Sequence, residues 1–193
     1  MYGWQIPPPK KPSKSRADLA RERREKVASL IKQGLLKSER IKQALLKVPR
    51  EDFIPEPYRD YAYLEVPLPL PGLAATISCP HSYPLFYEPL GLDQGHKFLE
   101  VGLGSGYGAA VAREVVGEEG QVVAMEIDPV TFKYAKPISK GRATEMLCWC
   151  WPTAAWAIPS CSPMTGSLSR PPVQISPRRC WSSLPLAEGS LRR

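Results

Sequence analysis

No stretch of this 193-residue chain is apolar over anything near the roughly 18 residues that a bilayer crossing needs, and its opening MYGWQIPPPKKPSK lacks the apolar core of a secretory signal. A soluble chain resident in the cytoplasm, without a membrane partner, is the expectation. Cysteine is scarce as well: Cys79 stands alone before residue 137, while Cys148, Cys150, Cys161 and Cys180 all fall after it. Their spacings form no paired Cys-x2-Cys zinc site, and a cytosolic chain rarely makes disulfides, so neither a metal nor a disulfide framework is expected. The net charge of +7 is unevenly spread. Residues 1–136 hold 19 Lys and Arg against 17 Asp and Glu, whereas residues 137–193 hold 7 against 2. Most of the basic excess thus belongs to the tail, and no nucleic-acid partner is expected.

What is present fits one domain with a modest extension. Residues 1–14, rich in Pro and Lys, read as a disordered lead-in. Ser15 and Asp18 have capping-box spacing ahead of a helix over Arg16 to Gln33, which Gly34 stops. Ser38 can cap a second helix carrying Ile41, Ala44, Leu45 and Val48 at helical spacing until Pro49. The proline-studded runs from Val48 to Pro55 and from Pro67 to Gly72 cannot be regular helix or central strand, because proline removes backbone donors. From Lys97 the pattern becomes α/β: a buried strand Lys97 to Val101, a glycine turn, a helix from about Tyr107 to Val116, and a strand Gln121 to Ile127. A second helix is expected after Pro129, with Asp128 as its cap.

The glycine turn carries chemistry. In Leu99-Glu100-Val101-Gly102-Leu103-Gly104-Ser105-Gly106-Tyr107-Gly108, glycines crowd where the first strand hands over to the first helix. Without Cβ atoms the backbone can turn sharply and lie against a ligand, and the helix amino end offers free N–H groups. Glu126 follows Gly104 by twenty-two residues at the end of the second strand, where an acid can accept from both ribose hydroxyls of a nucleotide. The dinucleotide fingerprint G-x-G-x-x-G/A places its third position on Tyr107, which does not fit it. The G-x-G-S-G form preceded by Glu100 resembles methyltransferase motif I. S-adenosylmethionine is therefore the expected cofactor, held by Glu100, Gly102, Gly104, Ser105, Gly106 and Glu126, in a Rossmann-like α/β methyltransferase fold.

Two further stretches narrow the class. Ile31-Lys32-Gln33-Gly34, Val48-Pro49-Arg50-Glu51-Asp52-Phe53-Ile54-Pro55, Tyr61-Ala62-Tyr63, Pro67-Leu68-Pro69-Leu70 and Ala75-Thr76-Ile77-Ser78-Cys79-Pro80-His81 together resemble the protein-L-isoaspartate O-methyltransferase family. The resemblance spans roughly residues 25–136 and implies methyl transfer to the free carboxylate of L-isoaspartyl and D-aspartyl residues in damaged proteins, by a monomer. It implies Ser78 as the active-site serine and Thr76, Ile77 and His81 as substrate-side residues, with Cys79 a packing residue in place of a smaller one. On this reading residues 15–136 are the domain, with a helical part 15–60, substrate-side loops 61–96 and a cofactor-binding βαβ unit 97–136. The alternatives are a tRNA-adenine methyltransferase, which shares motif I but needs an acid-Pro-Pro-aromatic motif not found here, and an inactive remnant.

After residue 136 the resemblance stops. The tail holds Trp149, Trp151, Trp156 and Trp181 with eight prolines and no sustained apolar period, so no third strand is visible. Its composition resembles translation in a wrong frame. Leu147 to Pro159, written in permitted codons and read from the third base, can spell VLVLADGGLGYP, which resembles the family's missing strand and its acid-glycine turn. A single frameshift near residue 137 is the expectation. It leaves about three strands, weak cofactor binding and little or no turnover.

Overall fold

The computed structural model describes residues 6–72 and 75–138, together with the backbone of two strands at Glu145–Cys148 and Val173–Ser176. Helix α1, Arg16–Lys32, starts at a true capping box: the Ser15 Oγ accepts from the Asp18 N–H at 3.1 Å, and the Asp18 carboxylate accepts from the Ser15 N–H at 3.2 Å. Its end turns at Gly34 with φ of 71°, a left-handed angle that glycine adopts without Cβ strain. Helix α2, Glu39–Lys47, is capped by Ser38 as the sequence suggests and buries Ile41, Ala44 and Leu45. Both proline-rich runs avoid long regular structure. The first forms a short 3-10 helix at Arg50–Phe53, followed by another at Glu56–Tyr61, and the second contributes the two-residue strand β1, Leu68–Pro69, antiparallel to β2, Thr76–Ile77. Helix α3 is Ser82–Tyr87.

The βαβ unit follows as expected. Strand β3, Lys97–Val101, leads to α4, Tyr107–Val116, then β4, Gln121–Glu126, and α5, Pro129–Ile138. β3 and β4 pair in parallel from Lys97 opposite Gln121 to Val101 opposite Met125. The sheet is larger than expected. Glu145–Cys148 forms β5 beside β4 and Val173–Ser176 forms β6 beside β3, all parallel, in the order β5-β4-β3-β6. That order matches the 3-2-1-4 start of a doubly wound sheet, so the expectation of no third strand and about three in all is corrected to four strands. The reason is physical: strand pairing is a backbone property, and a four-residue strand on a sheet edge needs no sustained side-chain period. Of the expected frameshifted tail, Pro137 and Ile138 end α5, and the rest beyond the two strands lies outside the described residues.

The core joins the helical part to the sheet. Phe53, Tyr83, Tyr87, Phe98 and Tyr107 form a chain of edge-on rings, with centroids 4.7 Å apart for Tyr83 and Tyr107 and 5.4 Å for Phe53 and Tyr107. Residues 6–14, read as a disordered lead-in, contain no helix or strand but are tied down. The Asp60 carboxylate accepts from the Ser13 N–H and Oγ–H, both at 2.8 Å, and from the Lys14 N–H, while the Lys14 ammonium donates to the Asp60 carbonyl at 2.7 Å. No helix among the described residues is long and apolar enough to cross a membrane.

Candidate active site

The glycine turn is built by its own backbone. Gly102, Gly104 and Gly106 take φ of 87°, 57° and 84°, left-handed angles that an L side chain would strain by roughly 1–2 kcal/mol each. The N–H groups of Gly102 and Leu103 both donate to the Met125 carbonyl at 2.9 Å, which docks the turn on the end of β4. No side chain caps α4, so no side-chain acceptor takes its first amides. Ser105 is buried within the turn, and Glu100 is fully buried in β3. Glu126, also buried, accepts from the Gly104 N–H at 2.9 Å through one oxygen, and from the Ile127 and Asp128 N–H groups at 2.9 and 3.1 Å through the other. A carboxylate has about four acceptor positions. Three backbone bonds thus fix Glu126 and leave it capacity for one further donor. Asp128 caps α5 by accepting from Val130 and Thr131, as the sequence suggests.

The substrate-side segment is held by side chains from far away in the chain. Arg50, 1% exposed, donates from Nε to the Ala62 carbonyl and from Nη2 to the Ser78 carbonyl, both at 2.7 Å. Its guanidinium lies 5.3 Å from the Tyr107 ring centroid and 5.6 Å from that of Tyr83, so cation–π contact replaces part of the lost hydration. Next to it, Glu51 takes the Tyr63 hydroxyl proton donor on one oxygen and Arg23 on the other at 3.2 Å. Burial, then this bond, pushes the Tyr63 phenol far above its ordinary range. His81 turns Nδ1 toward Glu65 Oε2 at 2.5 Å, while Lys26 holds Glu65 Oε1 at 3.0 Å. Burial works to raise the Glu65 carboxyl, and the bonds from His81 and Lys26 outweigh it to hold the group below its usual value.

The sequence-derived residues therefore meet in part. Thr76 is exposed, Ser78 and His81 are partly exposed, and Cys79 is buried. The Ile77 side chain is 2% exposed in the core, which leaves its backbone to face a substrate. The two halves touch. A Cβ placed on Gly104 would stand 3.6 Å from Leu70 Cδ1 and 3.7 Å from the Thr76 carbonyl oxygen, which seats the glycine turn directly against β2. A Cβ on Gly72 would run into Asp128 Oδ2 at 1.9 Å and Thr131 Oγ1 at 2.3 Å, so the β1–β2 connection also rests on the start of α5. Arg50 and Glu65 escaped the sequence reading as site residues. Arg50 lies in a quoted motif, but nothing local marks its reach of 28 residues to Ser78.

The residues present suit S-adenosylmethionine by their own chemistry: a left-handed glycine turn without Cβ atoms, a helix start with no side-chain cap and a fixed acid at the strand end. Comparison with known proteins agrees with that geometry. Residues 21–145 match the family described as protein-L-isoaspartate(D-aspartate) O-methyltransferase. Protein-L-isoaspartate O-methyltransferase 2 of Archaeoglobus fulgidus is 44% identical over 119 residues, 62% of this chain and 54% of that protein. The protein-L-isoaspartate O-methyltransferase of Ignicoccus hospitalis is 46% identical over 108 residues, 56% of this chain and 51% of its own. The chain spans about half the length of the curated relatives it matches. A solved protein-L-isoaspartate O-methyltransferase superposes with a TM-score of 0.58 at 35% identity, over 66% of this chain and 41% of that one. A Plasmodium falciparum structure titled as a putative member in complex with S-adenosyl-L-homocysteine shares the fold, with a TM-score of 0.56 at 20% identity over 66% of this chain and 62% of its own. With the family match covering well over half of its residues, this chain belongs to the protein-L-isoaspartate(D-aspartate) O-methyltransferase family.

Proposed function

We propose that this chain carries an S-adenosylmethionine site and methylates the free carboxylate of isoaspartyl and D-aspartyl residues in damaged proteins. The observation that carries the reading is the seating of Gly104 against Thr76, which puts the cofactor turn and strand β2, just before Ser78, within van der Waals reach. The cofactor supplies an activated methyl group on a sulfonium. The chain's own residues then have modest work. Gly102, Gly104, Ser105 and Gly106 admit the ligand backbone-close, Glu126 accepts a ribose hydroxyl, and the Ser78 hydroxyl holds the substrate carboxylate in line. A carboxylate is already a nucleophile, so positioning supplies most of the acceleration and no general base is needed. His81, committed to Glu65 and partly exposed, is a loop-holding residue on the substrate side.

The same reading assigns residues 15–136 to the methyltransferase domain and residues 137–193 to a frameshifted tail. It places the chain in the cytoplasm as a monomer acting on damaged proteins. The sequence contains no Asp or Glu between Met146 and Ala187, so no acid-glycine turn follows β5 to face an adenine. Binding of S-adenosylmethionine is accordingly weak and turnover low. Tritium transfer from labelled S-adenosylmethionine to an isoaspartyl peptide, set beside transfer to tRNA, tests the function. Slow labelling of the peptide and none of tRNA is expected; the reverse preference would overturn the substrate assignment. Calorimetry reads the cofactor separately, and micromolar affinity would refute the tail's proposed cost. Sequencing the coding DNA tests the frameshift, which fails if the shifted frame lacks the VLVLADGG string.

A further inference from the structure

Beside Ser78 three ligating atoms converge, none of them assigned to the cofactor or to the substrate carboxylate. The Glu65 carboxylate, the Cys79 Sγ and the His81 ring all lie within 4.8 Å of one another. The thiol is buried, while the other two groups are partly exposed, so the cluster has a closed inner wall and an open outer side. The donors are one sulfur, one nitrogen and one oxygen. That set is too soft and too poor in oxygen for magnesium or calcium, and it matches the three-ligand, one-open-position pattern of zinc(II). Bond lengths of about 2.0–2.3 Å put neighbouring ligand atoms of a tetrahedral ion roughly 3.3–3.7 Å apart. Closing the widest gap therefore takes about 1 Å of side-chain rotation, and the Glu65–His81 pair opens by a similar amount.

The surroundings already orient the donors. Lys26 holds Glu65 Oε1 at 3.0 Å and thereby turns Oε2 toward His81 Nδ1, the arrangement by which outer partners aim a metal-binding carboxylate. Pro80 stiffens the link between Cys79 and His81, and Arg50 pins the preceding Ser78 carbonyl. Glu65 comes from the segment before β1, so an ion bridging it to Cys79 and His81 would staple two separate substrate-side loops.

We propose that Glu65 Oε2, Cys79 Sγ and His81 Nδ1 form a binding site for zinc(II) or a similar borderline divalent ion, with the fourth position open to solvent. Binding forms one metal bond to each atom, releases the Cys79 thiol proton to solvent, breaks the Glu65–His81 hydrogen bond and leaves the His81 ring proton on Nε2, so that the Nδ1 lone pair faces the ion. No redox change is involved. An ion there locks the Ser78–His81 turn against Glu65.

Two measurements on the full chain test this without reading methyl transfer, so a failed activity assay leaves the result intact. In the first, N-ethylmaleimide labelling is followed peptide by peptide, which separates Cys79 from the four tail cysteines. Zinc slows labelling of Cys79 at least tenfold, and Glu65→Gln and His81→Ala remove that protection; protection that persists in both variants would overturn the site. In the second, cobalt(II) is added to a variant with Cys148, Cys150, Cys161 and Cys180 all changed to Ser. One equivalent gives thiolate-to-cobalt charge transfer and intense tetrahedral bands, which vanish on adding Cys79→Ser. No such bands, or bands indifferent to Cys79, would refute the proposal whether or not the thiol reacts in the first experiment.

Discussion

The Gly102–Gly106 turn and the Thr76–His81 segment face each other across the site, and they are held in opposite ways. The turn is fixed by its own left-handed glycines and by bonds to the adjacent end of β4. The segment borrows its position from Arg50, Glu65 and Lys26, none of which is near it in sequence. A turn made largely of backbone angles keeps most of its shape when a side chain such as Glu126 changes. A segment pinned by a single buried cation does not, because its loss strands carbonyls that water cannot reach.

The largest expected effect follows from that contrast. Arg50→Met removes the donors to the Ala62 and Ser78 carbonyls and leaves the aromatic cage without its cation. Hydrogen bonds from a charged group contribute roughly 1.5–3 kcal/mol each, so a loss of about 4 kcal/mol in urea unfolding is expected. A loss below about 1 kcal/mol would break the comparison, since the segment would then hold itself. On the turn side, Glu126→Gln keeps an acceptor but gives up the charge that three N–H groups share. The expected loss is about 2 kcal/mol, with S-adenosylmethionine binding weakened on the order of tenfold or more in the same calorimetric cell.

Asp60 extends the remote kind of anchoring to the lead-in, and there pH is the lever. Burial works to raise its carboxyl, but bonds from Ser13, Lys14 and Lys10 outweigh it and hold the pKa at about 2, against an ordinary 3.8. The folded value is depressed, so this stability is fully present above 3.8 and fades as pH falls toward about 2. Asp60→Asn should therefore cost about 2 kcal/mol at neutral pH, and the difference from the parent should close through that acid window. A pH-independent difference would mean that shape, not charge, ties residues 10–14 to Asp60.

This division also explains which parts were legible in the sequence. The bounds of β3 and α4, the Ser15 and Ser38 caps and the Glu126 position all rest on signals within a few residues or on a fixed strand-to-strand spacing. The roles of Arg50, Glu65 and Asp60 depend on pairs 12 to 47 residues apart, which one sequence does not announce. Pro and Lys in residues 6–14 gave a composition of disorder, because composition carries no information about a waiting carboxylate. That the Ile77 side chain points into the core is hidden for a related reason: in a two-residue strand, alternation is too short to tell the inward side chain from the outward one. β5 and β6 were missed because four residues make a strand only when a neighbouring edge completes them.

The smallest effect sharpens the seam where the two halves meet. Gly104→Ala adds a methyl group that would find Leu70 Cδ1 at 3.6 Å and the Thr76 carbonyl at 3.7 Å, both ordinary van der Waals distances. Nothing has to move to admit it. The cost is then conformational, from holding an L residue at φ of 57°, and is about 1 kcal/mol. Thermal melting of the variant checks the value. A loss above about 2 kcal/mol would mean that β2 presses on the turn more tightly than those distances imply, and that the turn, too, depends on a distant neighbour. A loss near 1 kcal/mol with weakened S-adenosylmethionine binding would instead show that the methyl group takes space the cofactor needs, which is the reason for a glycine at that position.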